Sequence, residues 1–135
     1  MRKIALAVSL MAVLVSASCA SASVMSKPLY GSCLVRSQLP TSDGVYVHGT
    51  GSVDCQGGIA GSSEAEVCQQ AWYGAGGYWY NVVCASRSCT RVSWCGVTSQ
   101  TLLFHGYWRD DTWGYVRNAD GSGNQTWYLS SQTYL

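Results

Sequence analysis

The chain has 135 residues, with eight Lys or Arg against seven Asp or Glu. That balance leaves no basic stripe for a phosphate backbone and no polybasic patch for an anionic membrane, so nucleic acid and membrane surfaces are not expected partners. Seven Cys, six Trp and nine Tyr in so short a chain point instead to a cross-linked domain rich in aromatic rings.

The N-terminus reads as a secretory signal peptide. Arg2 and Lys3 precede the apolar run Ile4 to Val15, and Ala20 and Ala22 then sit at an A-x-A spacing. Cleavage is expected after Ala22. The apolar run is too short to span a bilayer, and no second hydrophobic segment follows, so no membrane span is expected. A minor alternative makes Cys19 the lipidated first residue of an anchored protein. Removing residues 1–22 leaves 135 − 22 = 113 residues, enough for one domain.

Without Cys19, six Cys remain: Cys33, Cys55, Cys68, Cys84, Cys89 and Cys95. An even set in a short exported chain reads as three disulfides. No C-x-x-C occurs and the two His are remote from the Cys, so no metal site and no cofactor are expected. Spacing suggests that Cys84 and Cys89 face each other across a hairpin, with Cys68 joined to Cys55 or Cys95.

Residues 23–32 are polar, contain Pro28 and read as a flexible N-terminal arm or a short edge strand; residues 33–135 form the disulfide-rich domain. Cys33–Leu39 is the first strand of that domain, ended by Pro40 and the turn residues Thr41 to Gly44. Val45–Cys55 alternates Val47 and Gly49 against Tyr46, His48 and Thr50. Glu64–Tyr73 is predicted to be a helix. Ser63 and Glu66 form a capping-box pattern, and Val67, Cys68, Ala71 and Trp72 share one helical face. The β-rich segments 78–85, 90–97, 101–109, 113–117 and 126–130 follow, with Asp110-Asp111 read as a turn. The expected fold class is mostly β (α+β): a small antiparallel sheet, strongly curved or barrel-like, with one short helix and three disulfides.

Alternation sorts the rings by face. The expected core is Leu102, Phe104, Trp108, Val116, Trp127 and Leu129. The expected binding surface is Trp79, Asn81, His105, Tyr107, Arg109, Tyr115, Arg117 and Tyr128. Rigid aromatics and Arg are the side chains enriched at interfaces, and ring faces also suit sugars.

Motifs for acyl transfer, zinc hydrolysis and phosphate cradling are absent from the sequence. The function expected is therefore non-enzymatic binding by a secreted protein, first of another protein, as a toxin-complex subunit or an inhibitor. The first alternative is a cell-envelope glycan. The second is a small hydrolase or ribonuclease with His48 and His105 as base and acid and Arg109 as charge stabiliser.

Overall fold

The computed structural model describes residues 24–56 and 61–135. The signal-peptide segment and Cys19 lie outside the described residues. Ten strands occur in chain order: β1 Val24–Tyr30, β2 Cys33–Gln38, β3 Thr41–Ser42, β4 Tyr46–Cys55, β5 Ser62–Tyr73, β6 Tyr78–Thr90, β7 Trp94–Leu102, β8 Tyr107–Arg117, β9 Gly123–Leu129 and β10 Thr133–Tyr134. No helix is present among the described residues, and none is long and apolar enough to cross a membrane.

The strands form two antiparallel sheets. In sheet A, β4 pairs with β2 and β3 on one edge and with β7 on the other, and β1 extends the sheet beyond β2. In sheet B, β5 and β8 are central; β6 flanks β5, while β9 and β10 flank β8. The sheets pack face to face as an open sandwich. β1 and β2 lie over β9 and β8, β4 lies over β5 and β8, and β7 lies over β5 and β6. The antiparallel expectation holds, but the sheets do not close into a barrel. Residues 24–30 are a paired edge strand of sheet A rather than a free arm.

The predicted helix is instead β5, and the reason is its period. Ser63, Ala65, Val67, Gln69 and Ala71 are buried; Glu64, Glu66, Gln70 and Trp72 point to the opposite face with Cys68. That is strict alternation, hidden because the inward residues are small or polar rather than branched. Ladders to β6 and β8 on both edges override the local helix signal. Trp72, placed with Val67 and Ala71 on one face of the predicted helix, is instead 39% exposed.

Segment 78–90 is one unbroken strand, so Cys84 and Cys89 cannot meet across a hairpin. The bridges are Cys33–Cys55, Cys68–Cys84 and Cys89–Cys95. The first two join directly opposed residues, in β2/β4 and in β5/β6. The third joins β6 to β7 and so ties the two sheets together. Three bridges fit an oxidising, extracellular setting. Each contributes on the order of 2–4 kcal/mol by constraining the unfolded chain.

The core is built from small side chains. One cluster gathers Leu29, Val35, Val53, Val67, Val97 and Val116 around the buried Cys33–Cys55 bridge; a second gathers Val47, Ala71 and Trp108. Gly114 permits the close approach: a Cβ there would lie 2.3 Å from Val35 Cγ2 and 2.9 Å from Val53 Cγ2. Of the predicted core, Trp108 and Val116 are fully buried, whereas Leu102, Phe104, Trp127 and Leu129 are exposed. β7 stops at Leu102, so 103–106 is a loop rather than strand. On β9 the inward side is that of Thr126, Tyr128 and Ser130, not that of Trp127 and Leu129.

Asp110-Asp111 is mid-strand in β8 rather than a turn, and Asp110 points into the sandwich. Its Oδ2 accepts from the Thr50 N–H (3.0 Å), and its backbone N–H donates to Ser130 Oγ (2.9 Å). Ser37 Oγ donates to the Asp110 carbonyl (3.3 Å), and Thr112 Oγ1 donates to Ser37 Oγ (2.9 Å). Asp110 Oδ1, the Gln69 amide and the Ser99 hydroxyl are buried without hydrogen-bond partners among the described residues. Burial in this setting pushes the Asp110 carboxyl up to about 8.

Candidate functional site

The outer face of sheet A is mainly polar. Arg36 Nε pairs with Asp54 Oδ2 at 2.9 Å, and His48 Nε2 meets Asp43 Oδ2 at the same distance. Thr50, Thr98 and Gln100 lie between them on β4 and β7. Two hydrogen bonds from the Val45 and Tyr46 N–H groups, together with His48, pull the Asp43 carboxyl down to about 2.

Sheet B has the opposite character on its outer face, and the strand register gives its layout row by row. At one end Trp79, Trp72, Tyr107 and Tyr134 cluster from β6, β5, β8 and β10. The Trp72 and Trp79 rings are 5.4 Å apart, and the Tyr107 and Tyr134 rings meet edge to face at 5.2 Å. Trp72, Trp79, Tyr107 and Gln132 line a shallow groove of about 340 Å³.

A polar row comes next, made of Asn81, Gln70 and Arg109. Arg109 Nε donates to Gln70 Oε1 (2.7 Å), and Gln70 Nε2 donates to Asn81 Oδ1 (2.8 Å). The Arg109 guanidinium also sits 4.4 Å above the Trp79 ring, so a cation–π contact holds it in place. The Cys68–Cys84 bridge and Asp111 fill the following row. Partial burial raises the Asp111 carboxyl, and Arg109 nearby opposes that shift.

The far end is aromatic again, with acid beside it. Glu66, Trp113 and Trp127 are direct cross-strand neighbours, and Glu64 lies beside Tyr115 in the adjoining row. The Trp113 and Tyr115 rings are nearly parallel, 5° between planes, at 6.1 Å. Glu64, Glu66, Trp113 and Trp127 line a second shallow groove of about 380 Å³. The two aromatic ends are 113 − 107 = 6 residues apart along β8, roughly 20 Å of extended strand.

Six of the eight predicted binding residues share this face: Trp79, Asn81, Tyr107, Arg109, Tyr115 and Arg117. Tyr128 faces inward and packs on the core, and His105 lies in the 103–106 loop with Nδ1 3.3 Å from the Leu135 carbonyl oxygen. The alternative catalytic set is not brought together. His48 is on the outer face of sheet A, Arg109 is on the outer face of sheet B, and His105 is in the loop.

Trp72, Gln70, Glu64, Glu66, Trp127 and Tyr134 are the face residues that strand alternation did not supply. Four of them lie on β5 and are lost once that segment is read as a helix. Trp113 shares the strand side of Tyr115 and Arg117, so alternation alone assigns it here.

A third groove, of about 390 Å³, lies between β6 and β7 beneath Trp94. It holds one ring, and its cation, Arg87, is turned onto the Gly96 carbonyl (3.5 Å). No protein-family model, curated protein or solved structure matches this chain.

Proposed function

We propose that this chain is an exported, non-enzymatic binding domain that holds an extended glycan across the outer face of sheet B. The order of chemistry on that face carries the reading: rings, then a hydrogen-bonded row of amides and guanidinium, then rings again. A protein interface places its apolar area at the centre and its polar groups at the rim. Here the centre is polar and the ends are aromatic. An oligosaccharide complements that order, because its ring faces are apolar and its edges carry hydroxyls. Grooves that are shallow and open suit a chain lying along a surface better than a small molecule, which needs enclosure. This ordering moves the glycan ahead of the protein partner expected from sequence.

The test is retention of the disulfide-intact protein on a panel of insoluble polysaccharides and envelope glycans, beside a Trp72→Ala/Trp127→Ala variant. Wild type should be retained by at least one, and the variant should be released while its circular dichroism stays unchanged. A folded wild type that passes through every polysaccharide sinks the glycan reading. Stoichiometric capture of a secreted protein, lost in the variant, would restore the protein partner.

A further inference from the structure

The two ends of the sheet B face are alike in rings and opposite in charge. At the Trp79 end the ionic group is Arg109, held over the ring and bonded to Gln70. At the Trp127 end the ionic groups are Glu64 and Glu66, and neither has an ion-pair partner among the described residues. Arg117 lies on the same face, one row beyond Tyr115, yet pairs with neither Glu. Elsewhere, Asp54 and Asp43 do have ion partners, Arg36 and His48. Glu64 and Glu66 are thus unpaired acids that line a groove with two Trp.

From this geometry we infer that the Glu64–Glu66–Trp113–Trp127 groove is a subsite for a protonated amino sugar. The inference rests on the glycan reading of the face. An ammonium beside Trp113 and Trp127 meets the negative face of the indoles, and two carboxylates in the same groove supply the counter-charge. Trp113 is held by its stack on Tyr115, so the groove wall is set before a ligand arrives. The pyranose ring lies on the exposed Trp127 indole, and the amine points across Trp113 toward Glu66. An N-acetylated sugar keeps the ring contact but brings no charge, so the acids discriminate between the two forms.

The experiment is calorimetric titration of the disulfide-intact protein with two oligosaccharides of equal length, one of β-1,4-linked glucosamine and one of N-acetylglucosamine. It is run at a pH where the amines are protonated. The amine form should bind about tenfold tighter, the sum expected of one cation–π contact and one or two exposed ion pairs. The preference should shrink with added salt. Glu64→Gln/Glu66→Gln should cut the preference to the few-fold that the cation–π contact alone supplies, and an unchanged circular dichroism spectrum and thermal melt report that the variant is folded. Equal affinity for the two oligomers, or a preference undiminished in the double variant, overturns the subsite and leaves the glycan reading standing. Binding of neither oligomer overturns the subsite, whereas the fate of the wider glycan reading is decided by the polysaccharide panel. An oligolysine peptide that binds where neither sugar does reassigns the groove to a protein side chain and overturns the amino-sugar assignment.

Discussion

The two faces of sheet B divide the residue types in an unusual way. Its inner face buries Ser63, Gln69, Asp110 and Thr112 among Ala65, Val67, Ala71 and Val116. Its outer face exposes Trp72, Tyr107 and Trp127, with Trp79 and Trp113 half-buried beside them. Of the six Trp in the chain, Trp108 alone is fully buried. Small inner residues let the sheets approach closely, as at Gly114, and three disulfides supplement the modest apolar burial that results. The fold therefore does not need most of its rings for packing. Rings held on a cross-linked scaffold lose little conformational entropy when a ligand lands on them.

Titration of the inner face should give the largest effect. The Asp110 carboxyl is raised by burial to about 8, well above its unfolded value of 3.8. Oδ2 accepts from the Thr50 N–H, and Oδ1 has no partner among the described residues to stabilise a negative charge. The sign follows from which state releases the proton first. Between pH 3.8 and about 8 the unfolded chain has lost it and the folded chain retains it. This contribution is thus fully present below the unfolded value and lost as pH rises through the folded one. Unfolding free energy should fall by about 1.4 kcal/mol per pH unit across that window and level off above it. Urea titrations at a series of pH values measure the slope. Asp110→Asn should flatten the profile and raise stability at the alkaline end. A wild-type profile that is already flat would mean that the inner face solvates a charged Asp110, and the contrast between the faces would weaken.

Next in size is the difference between the inner and outer disulfides. Cys33–Cys55 is buried within the Val35–Val53 cluster, whereas Cys68–Cys84 lies on the outer face with Cys84 exposed. They span 22 and 16 residues, so their loop-entropy contributions are nearly equal. Cys33→Ala/Cys55→Ala should cost about 2–5 kcal/mol, and Cys68→Ala/Cys84→Ala should fall at the low end of that range. Denaturant midpoints of the two variants give the comparison. Equal losses would show that the buried bridge adds only its chain constraint.

These contrasts also explain which parts of the molecule were legible in its sequence. Strand segments with branched or aromatic residues on one side, such as β4 and β9, are visible from alternation alone, and so is most of the outward side of β8. β5 is not, because its inward side reads Ser, Ala, Val, Gln, Ala and its outward side holds acids beside a plausible N-cap. Asp110-Asp111 looks like a turn because two adjacent acids are rare within a sandwich; its hydrogen-bond partners Ser37, Thr50 and Ser130, remote in the chain, make the buried position tenable. The rule that rings mark the core fails for the same reason that the outer face is aromatic. Volume between these sheets is taken by glycine and small residues, so Trp127 and Leu129 on β9 face out.

The smallest stability effect, and the sharpest separation of the two faces, should come from Trp79. Its ring touches Trp72 on the same face at 5.4 Å and carries the Arg109 guanidinium at 4.4 Å, and it contributes to neither apolar cluster of the core. Trp79→Ala removes one exposed cation–π contact and one cross-strand ring pair, so it should cost no more than about 1–2 kcal/mol of stability. Glycan affinity should nevertheless fall about tenfold or more, because the ring forms one wall of the Trp72–Tyr107 groove and holds Arg109 in place. Parallel thermal melts and binding titrations separate the two outcomes. If the melt collapses while residual binding by the folded fraction is normal, Trp79 belongs functionally with the core, and the outer face is a cover for the sheet rather than a surface for a ligand.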